Sequence, residues 1–260
     1  MHYVIDDYTD PWRKPDTVLL LHGSCESHAM WYGWVPVLAR ELRVVRPDMR
    51  GFGLSTPMPR DYAWPLDTVV DDFAALMTQL NIERFHLAGA KIAGTIARRF
   101  ASRHASRVQT LTLIGTPPPQ REHKPGVLPA WLKKIEDEGV ASWAASTMGA
   151  RLGSHFPQEG VQWWAQQLMV RTAQSTALGF VGSIPNWDVA ADLPRIACPT
   201  LVITTEGSAL GTVQDTQRWQ SQIPNSRLLA LPGDSFHTAA TDAEQCAKAM
   251  LDFARGARQT

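Results

Sequence analysis

Short apolar runs, each closed by turn residues and followed by a stretch of helical periodicity, recur from Thr17 to Ile114 and again from Thr200 onward. Thr17–Leu21, Arg43–Arg46, Arg84–Ala88, Val108–Ile114, Thr200–Thr204 and Ser226–Leu231 read as strands. Strands apolar on both faces belong to a mostly parallel sheet covered by helices on its two sides, because both sets of alternating side chains must then be buried. Over Leu66–Leu80, Val69, Val70, Phe73, Leu76, Met77 and Leu80 fall at helical spacing and predict an amphipathic helix lying on that sheet. Trp34–Leu42, Ile92–His104 and Thr241–Arg255 read as further helices.

Between Pro117 and Arg195 the rhythm changes to helix after helix, with Trp131, Trp143, Trp163, Trp164 and Trp187 and no convincing strand. The chain therefore divides into an α/β core, residues 1–116 and 196–260, and a helical lid, residues 117–195. Most of the lid tryptophans are needed to bury the insertion against the core. Trp187, where the lid returns to the sheet, and Trp31 are the candidates for lining a substrate pocket. A formal net charge of +0 offers no basic face to nucleic acid and no polybasic arm to a membrane. The expected partner is a small molecule, with homo-oligomer formation left open. Cys25, Cys198 and Cys246 are an odd, widely spaced set and read as free thiols. Together with an acidic start that lacks a signal-peptide pattern, they point to the cytoplasm. No cluster of His, Cys and carboxylates has metal-ligand spacing and no glycine loop is built for phosphate, so neither metal nor organic cofactor is expected.

Four local patterns carry the chemistry. Leu19-Leu-Leu-His22-Gly23-Ser24 ends the first buried strand in a loop. Asp48-Met-Arg50-Gly51-Phe-Gly53 follows the next strand, with glycines permitting backbone angles closed to other residues and Arg50 expected to pair and shape the loop. Gly89-Ala90-Lys91-Ile92-Ala93-Gly94 lies directly between a strand and a helix, with small residues two places either side of Lys91. Pro232-Gly233-Asp234-Ser235-Phe236-His237 follows the last strand.

In order and spacing these patterns resemble the α/β-hydrolase superfamily over essentially the whole chain, and most nearly the 3-oxoadipate enol-lactone hydrolases and related small-molecule hydrolases. The resemblance implies a nucleophile elbow centred on Lys91, an oxyanion hole from the backbone N–H groups of Ser24 and Ile92, and His237 as the base. It also implies an acid after the strand preceding the His237 loop, where this chain has Ser208. Glu206, two residues earlier, and Glu26, just beyond the oxyanion loop, are the carboxylates that could replace it.

The family carries serine at the elbow, sometimes cysteine or aspartate, and this chain carries lysine. An amine attacking an ester would form an amide and stall. Two enzymatic roles remain. A neutral Lys91 would form a Schiff base with a ketone and serve as an electron sink for decarboxylation or carbon–carbon cleavage. A charged Lys91 would instead stabilise a substrate carboxylate or enolate while His237 activates water, and a nearby carboxylate would favour this form by raising the lysine pKa. The expectation is an atypical hydrolase or carbon–carbon lyase acting on a small carbonyl compound. The alternative is a catalytically inactive hydrolase-fold protein that binds a ligand.

Overall fold

A computed structural model describes residues 1–120 and 126–257. Seven strands form one sheet: β1 (Tyr3–Asp6), β2 (Thr17–Leu21), β3 (Arg43–Pro47), β4 (Phe85–Ala90), β5 (Val108–Ile114), β6 (Thr200–Thr205) and β7 (Ser226–Leu231). Their order across the sheet is β1-β3-β2-β4-β5-β6-β7, with β1 antiparallel and every other pairing parallel. All residues of β2, β4 and β6 are buried, as runs apolar on both faces require.

Nine α-helices accompany the sheet among the described residues: α1 (Val35–Leu38), α2 (Leu66–Gln79), α3 (Ala93–Arg103), α4 (Val127–Leu152), α5 (Gln158–Trp163), α6 (Gln174–Ser183), α7 (Val213–Gln220), α8 (Thr238–Thr241) and α9 (Ala243–Gly256). On α2 the predicted stripe is the buried face, with Val69, Val70, Phe73, Leu76 and Met77 inside. Between β5 and β6 the regular elements among the described residues are helices, apart from an isolated bridge, Gln120 to Asp188. Residues 121–125 of the expected lid lie outside the described residues. Within this insertion α4 is broken at Gly139, whose φ of 84° takes it out of helical geometry.

Three elements differ from expectation. The helix expected over Trp34–Leu42 is only α1, begun at a proline-containing first turn. Edge strand β1, half-buried and partly polar, carries no strong apolar signal. Helix α7 buries little beyond Thr216, Trp219 and Gln220, so its periodicity is weak; its local mark is the Thr212–Asp215 capping box.

The chain leaves β2 toward β3 on one side and returns through β4 on the other, so strand order reverses between β2 and β4. In open α/β sheets the loops at the carboxyl ends of such a pair diverge and leave a crevice. The loop carrying Ser24 and Glu26 follows β2, and the turn carrying Lys91 follows β4.

Candidate active site

Lys91 occupies the tip of a sharp strand-to-helix turn. Its φ is 54°, in the left-handed region that costs a side-chain-bearing residue about 1 kcal/mol or more. The turn is held by the Lys91 N–H donating to Ile114 O at 2.9 Å and the Gly94 N–H donating to Lys91 O at 2.9 Å. A Cβ at Gly89 would lie 2.6 Å from Ala93 O, which is why the residue two places before Lys91 is glycine.

A second left-handed residue, Cys25 at φ 58°, bends the chain after β2 so that Glu26 turns back into the crevice. Gly23 makes room for it. A Cβ there would sit 2.8 Å from Glu26 Oε2, and the Gly23 N–H donates to that oxygen at 2.9 Å. The other carboxylate oxygen, Oε1, accepts from Lys91 Nζ at 2.6 Å and lies 2.9 Å from His237 Nε2. Lys91, Glu26 and His237 are all buried.

Electrostatics fix the resting protonation. Burial works to raise the Glu26 pKa, but the Lys91 charge and the His237 ring outweigh it and hold the carboxyl well below its ordinary range. Burial lowers Lys91 to about 8, against the opposing pull of Glu26. Burial, followed by the Lys91 charge, lowers His237 to about 4. At neutral pH the cluster is therefore a largely charged Lys91–Glu26 pair beside a neutral imidazole. Since Glu26 can only accept, the proton of that imidazole belongs on Nε2.

That assignment leaves His237 Nδ1 buried with no hydrogen-bond partner among the described residues, its ring edge-on to Trp164 at 4.6 Å between centroids. In a Ser-His-Asp triad the acid holds Nδ1 and Nε2 faces the nucleophile. Here the carboxylate has moved to the Nε2 side and stands between imidazole and amine. Of the three candidate acids only Glu26 joins the cluster. Glu206 is exposed, and Ser208 Oγ accepts from the Leu210 N–H in its own turn. Neither reaches Nδ1, because the turn after β6 closes on itself.

Ser24, Lys91 and Ile92 line a narrow cavity with ≈ 50 Å³ of space for the centres of water-sized molecules. Among the described residues the N–H groups of Ser24 and Ile92 donate to no backbone acceptor. The cavity tryptophans are Trp131 and Trp143, not the expected Trp31 and Trp187. Trp31 packs edge-on against Trp34 at 4.9 Å, and the indole N–H of Trp187 donates to Trp64 O at 3.0 Å, so both are committed to core packing. Arg151, on the last turn of α4, also faces this cavity and had no signal in the sequence beyond its charge. Arg50 is paired as expected, donating to Asp72 at 2.6 Å and to the Tyr62 hydroxyl at 2.8 Å.

The alpha/beta hydrolase fold family model matches residues 16–241, most of the chain and every element of the site described above. The chain belongs to this family. It is 28% identical to a putative non-heme chloroperoxidase of Synechocystis sp., covering 96% of this chain and 95% of that protein. It is 33% identical to the pimeloyl-[acyl-carrier protein] methyl ester esterase of Aeromonas hydrophila, over 84% of this chain and 87% of that one. The enol-lactonase from Burkholderia xenovorans LB400 shares the fold with a TM-score of 0.85 at 24% identity, covering 97% of this chain and 95% of that one. No helix among the described residues is long and apolar enough to cross a membrane.

Proposed function

We propose that this α/β hydrolase acts on a small carbonyl compound, a lactone, an ester or a carbon–carbon bond next to a ketone, through a Lys91–Glu26–His237 cluster in place of Ser-His-Asp. The observation that carries the proposal is the 2.6 Å contact between Lys91 Nζ and Glu26 Oε1 at the tip of the elbow. A carboxylate so close favours the ammonium over the free amine, and therefore electrostatic and proton-donating chemistry over a Schiff base. The helical segment between β5 and β6 serves as the lid over this cavity.

The substrate carbonyl oxygen sits between the N–H groups of Ser24 and Ile92, with the Lys91 ammonium adding the charge that stabilises the developing oxyanion. Water adds to the carbonyl carbon, and as that C–O bond forms Lys91, with a pKa of about 8, shifts its proton toward the oxygen or enolate that will leave. Loss of that charge removes the strongest influence holding the Glu26 pKa down, so the carboxylate takes the proton of the adding water, and the tetrahedral adduct collapses to the acid as its bond to the leaving group, now carrying the Lys91 proton, breaks. His237 keeps Glu26 aimed throughout. The proton then returns from Glu26 to Lys91 along their hydrogen bond, and the cycle closes without an acyl-enzyme.

A panel of lactones and enol esters tests the reading. Lys91→Met should lower turnover by roughly 10²- to 10³-fold, the loss typical of deleting one oxyanion donor. Borohydride added to wild type with a small ketone should leave Lys91 unmodified. Turnover that survives Lys91→Met, or a reduced adduct on Lys91 in wild type, would sink the charged mechanism.

A further inference from the structure

Arg151 is a buried cation that the cluster does not use. Its residue is 6% exposed, and its guanidinium carbon stands 4.6 Å from the ring centre of Trp143. The side chain donates to Thr147 Oγ1 at 2.9 Å and forms no ion pair among the described residues. A second buried arginine, Arg98, shows what a structural guanidinium looks like here: it donates to Gly94 O, Thr95 Oγ1 and Pro117 O, and it is not among the residues lining this cavity. A guanidinium offers five donors in a planar fork, and that of Arg151 meets one hydroxyl while facing the cavity that Lys91 also lines.

We propose that Arg151 is the docking point for a substrate carboxylate, so that the site selects small carbonyl compounds bearing a single carboxylate. This rests on the cavity being the substrate site, as proposed above. The charge count favours one anion. Lys91 and Glu26 cancel as a contact pair, His237 is neutral, and Arg151 leaves one uncompensated positive charge in a buried site. Such a charge is costly to hold unless something pairs with it. The planar fork matches two carboxylate oxygens side by side, and the Trp143 face fixes its plane. Lys91 is unfit for this duty because its charge is already taken by Glu26.

Arg151 also ties the lid to the catalytic loop. Its carbonyl accepts from the N–H groups of Phe236 and His237 at 3.2 and 3.1 Å, and from Ser235 Oγ at 3.1 Å. An anion held by the side chain is therefore registered against the loop that carries His237, placing the reacting carbonyl at a fixed distance from Lys91.

The test uses 4-oxopentanoate, its primary amide and 3-oxobutylphosphonate, with binding read by calorimetry on wild type, Arg151→Gln and Lys91→Met. Wild type should bind the keto acid on the order of 10- to 100-fold more tightly than the amide, as expected for a buried charge-assisted hydrogen bond. Arg151→Gln should lose that preference while its affinity for the amide stays the same, and Lys91→Met should keep it. Equal binding of acid and amide by wild type overturns the proposal without any variant needing to fold. So does a preference retained in Arg151→Gln but lost in Lys91→Met, or tighter binding of the phosphonate. Failure of lactone turnover with the keto-acid preference intact would instead refute the catalytic reading and leave the anion site standing.

Discussion

Replacing Glu26 by Gln removes the anion from a buried ion pair while keeping its shape, and the consequence should depend on pH in a particular way. Breaking a buried pair by deleting one partner typically costs about 3–5 kcal/mol. Lys91 can escape part of that cost by giving up its proton. Burial already lowers it to about 8, and Glu26 is the main influence raising it, so in Glu26→Gln the pKa falls further. In the pH range between the variant's lowered value and about 8, the unfolded chain and the wild-type fold both keep the Lys91 proton, whereas the variant's fold has lost it. The variant therefore gains stability relative to wild type as pH rises, by about 1.4 kcal/mol per pH unit. Above about 8 both folds hold a neutral lysine and the difference becomes constant.

Urea unfolding of wild type and Glu26→Gln at intervals from pH 6 to 10 reads this directly. The deficit of the variant should narrow as pH rises toward 8 and then level off. Glu26 itself adds no slope here, since its carboxyl is ionised in both states throughout that range. A deficit that is the same at every pH would show that Lys91 has the same protonation in both folds, and the argument that the Glu26 charge holds its proton would fall with it. The same variant has a chemical readout: its neutral amine should form a borohydride-trapped adduct with a small ketone that wild type does not form.

Other outcomes follow from the same geometry. Lys91→Ser should not create a serine hydrolase, because His237 Nε2 is held by Glu26 and Nδ1 has no acid; labelling by a fluorophosphonate should stay at background. Turnover that needs the Lys91 proton should decline as pH rises through about 8, and in Lys91→Arg the decline should move to higher pH in any residual activity. Gly115→Ala places a Cβ 2.1 Å from Phe236 O at a φ of +54°, and should cost about 2–4 kcal/mol in urea unfolding while displacing the His237 loop.

Strands β2, β4 and β6 were legible because they are buried on both faces and so carry apolar runs, and α2 because its stripe matches its buried face. Edge strand β1 and helix α7 were not, since each buries too little to impose a period. In the site, the elbow was readable from small residues flanking Lys91 between a strand and a helix, a local requirement written into neighbouring positions. The partner of Lys91 was not decidable in the same way. Ser208 stood where the acid was expected, Glu26 and Glu206 were both open as its replacement, and the choice was made by Cys25 adopting a left-handed angle and by Gly23 vacating the space a carboxylate fills.

That second point bears on what kind of departure this chain represents. A serine simply replaced by lysine in an otherwise ordinary site would leave a cation beside an imidazole, each penalising the charge of the other, with an acid behind the ring. The site instead has its carboxylate between the two, contacting both, and lacks one behind the ring. A carboxylate on the Nε2 side pairs with the lysine, while burial and the Lys91 charge keep the imidazole neutral. Lysine, glutamate and the glycine that admits the glutamate therefore depend on one another.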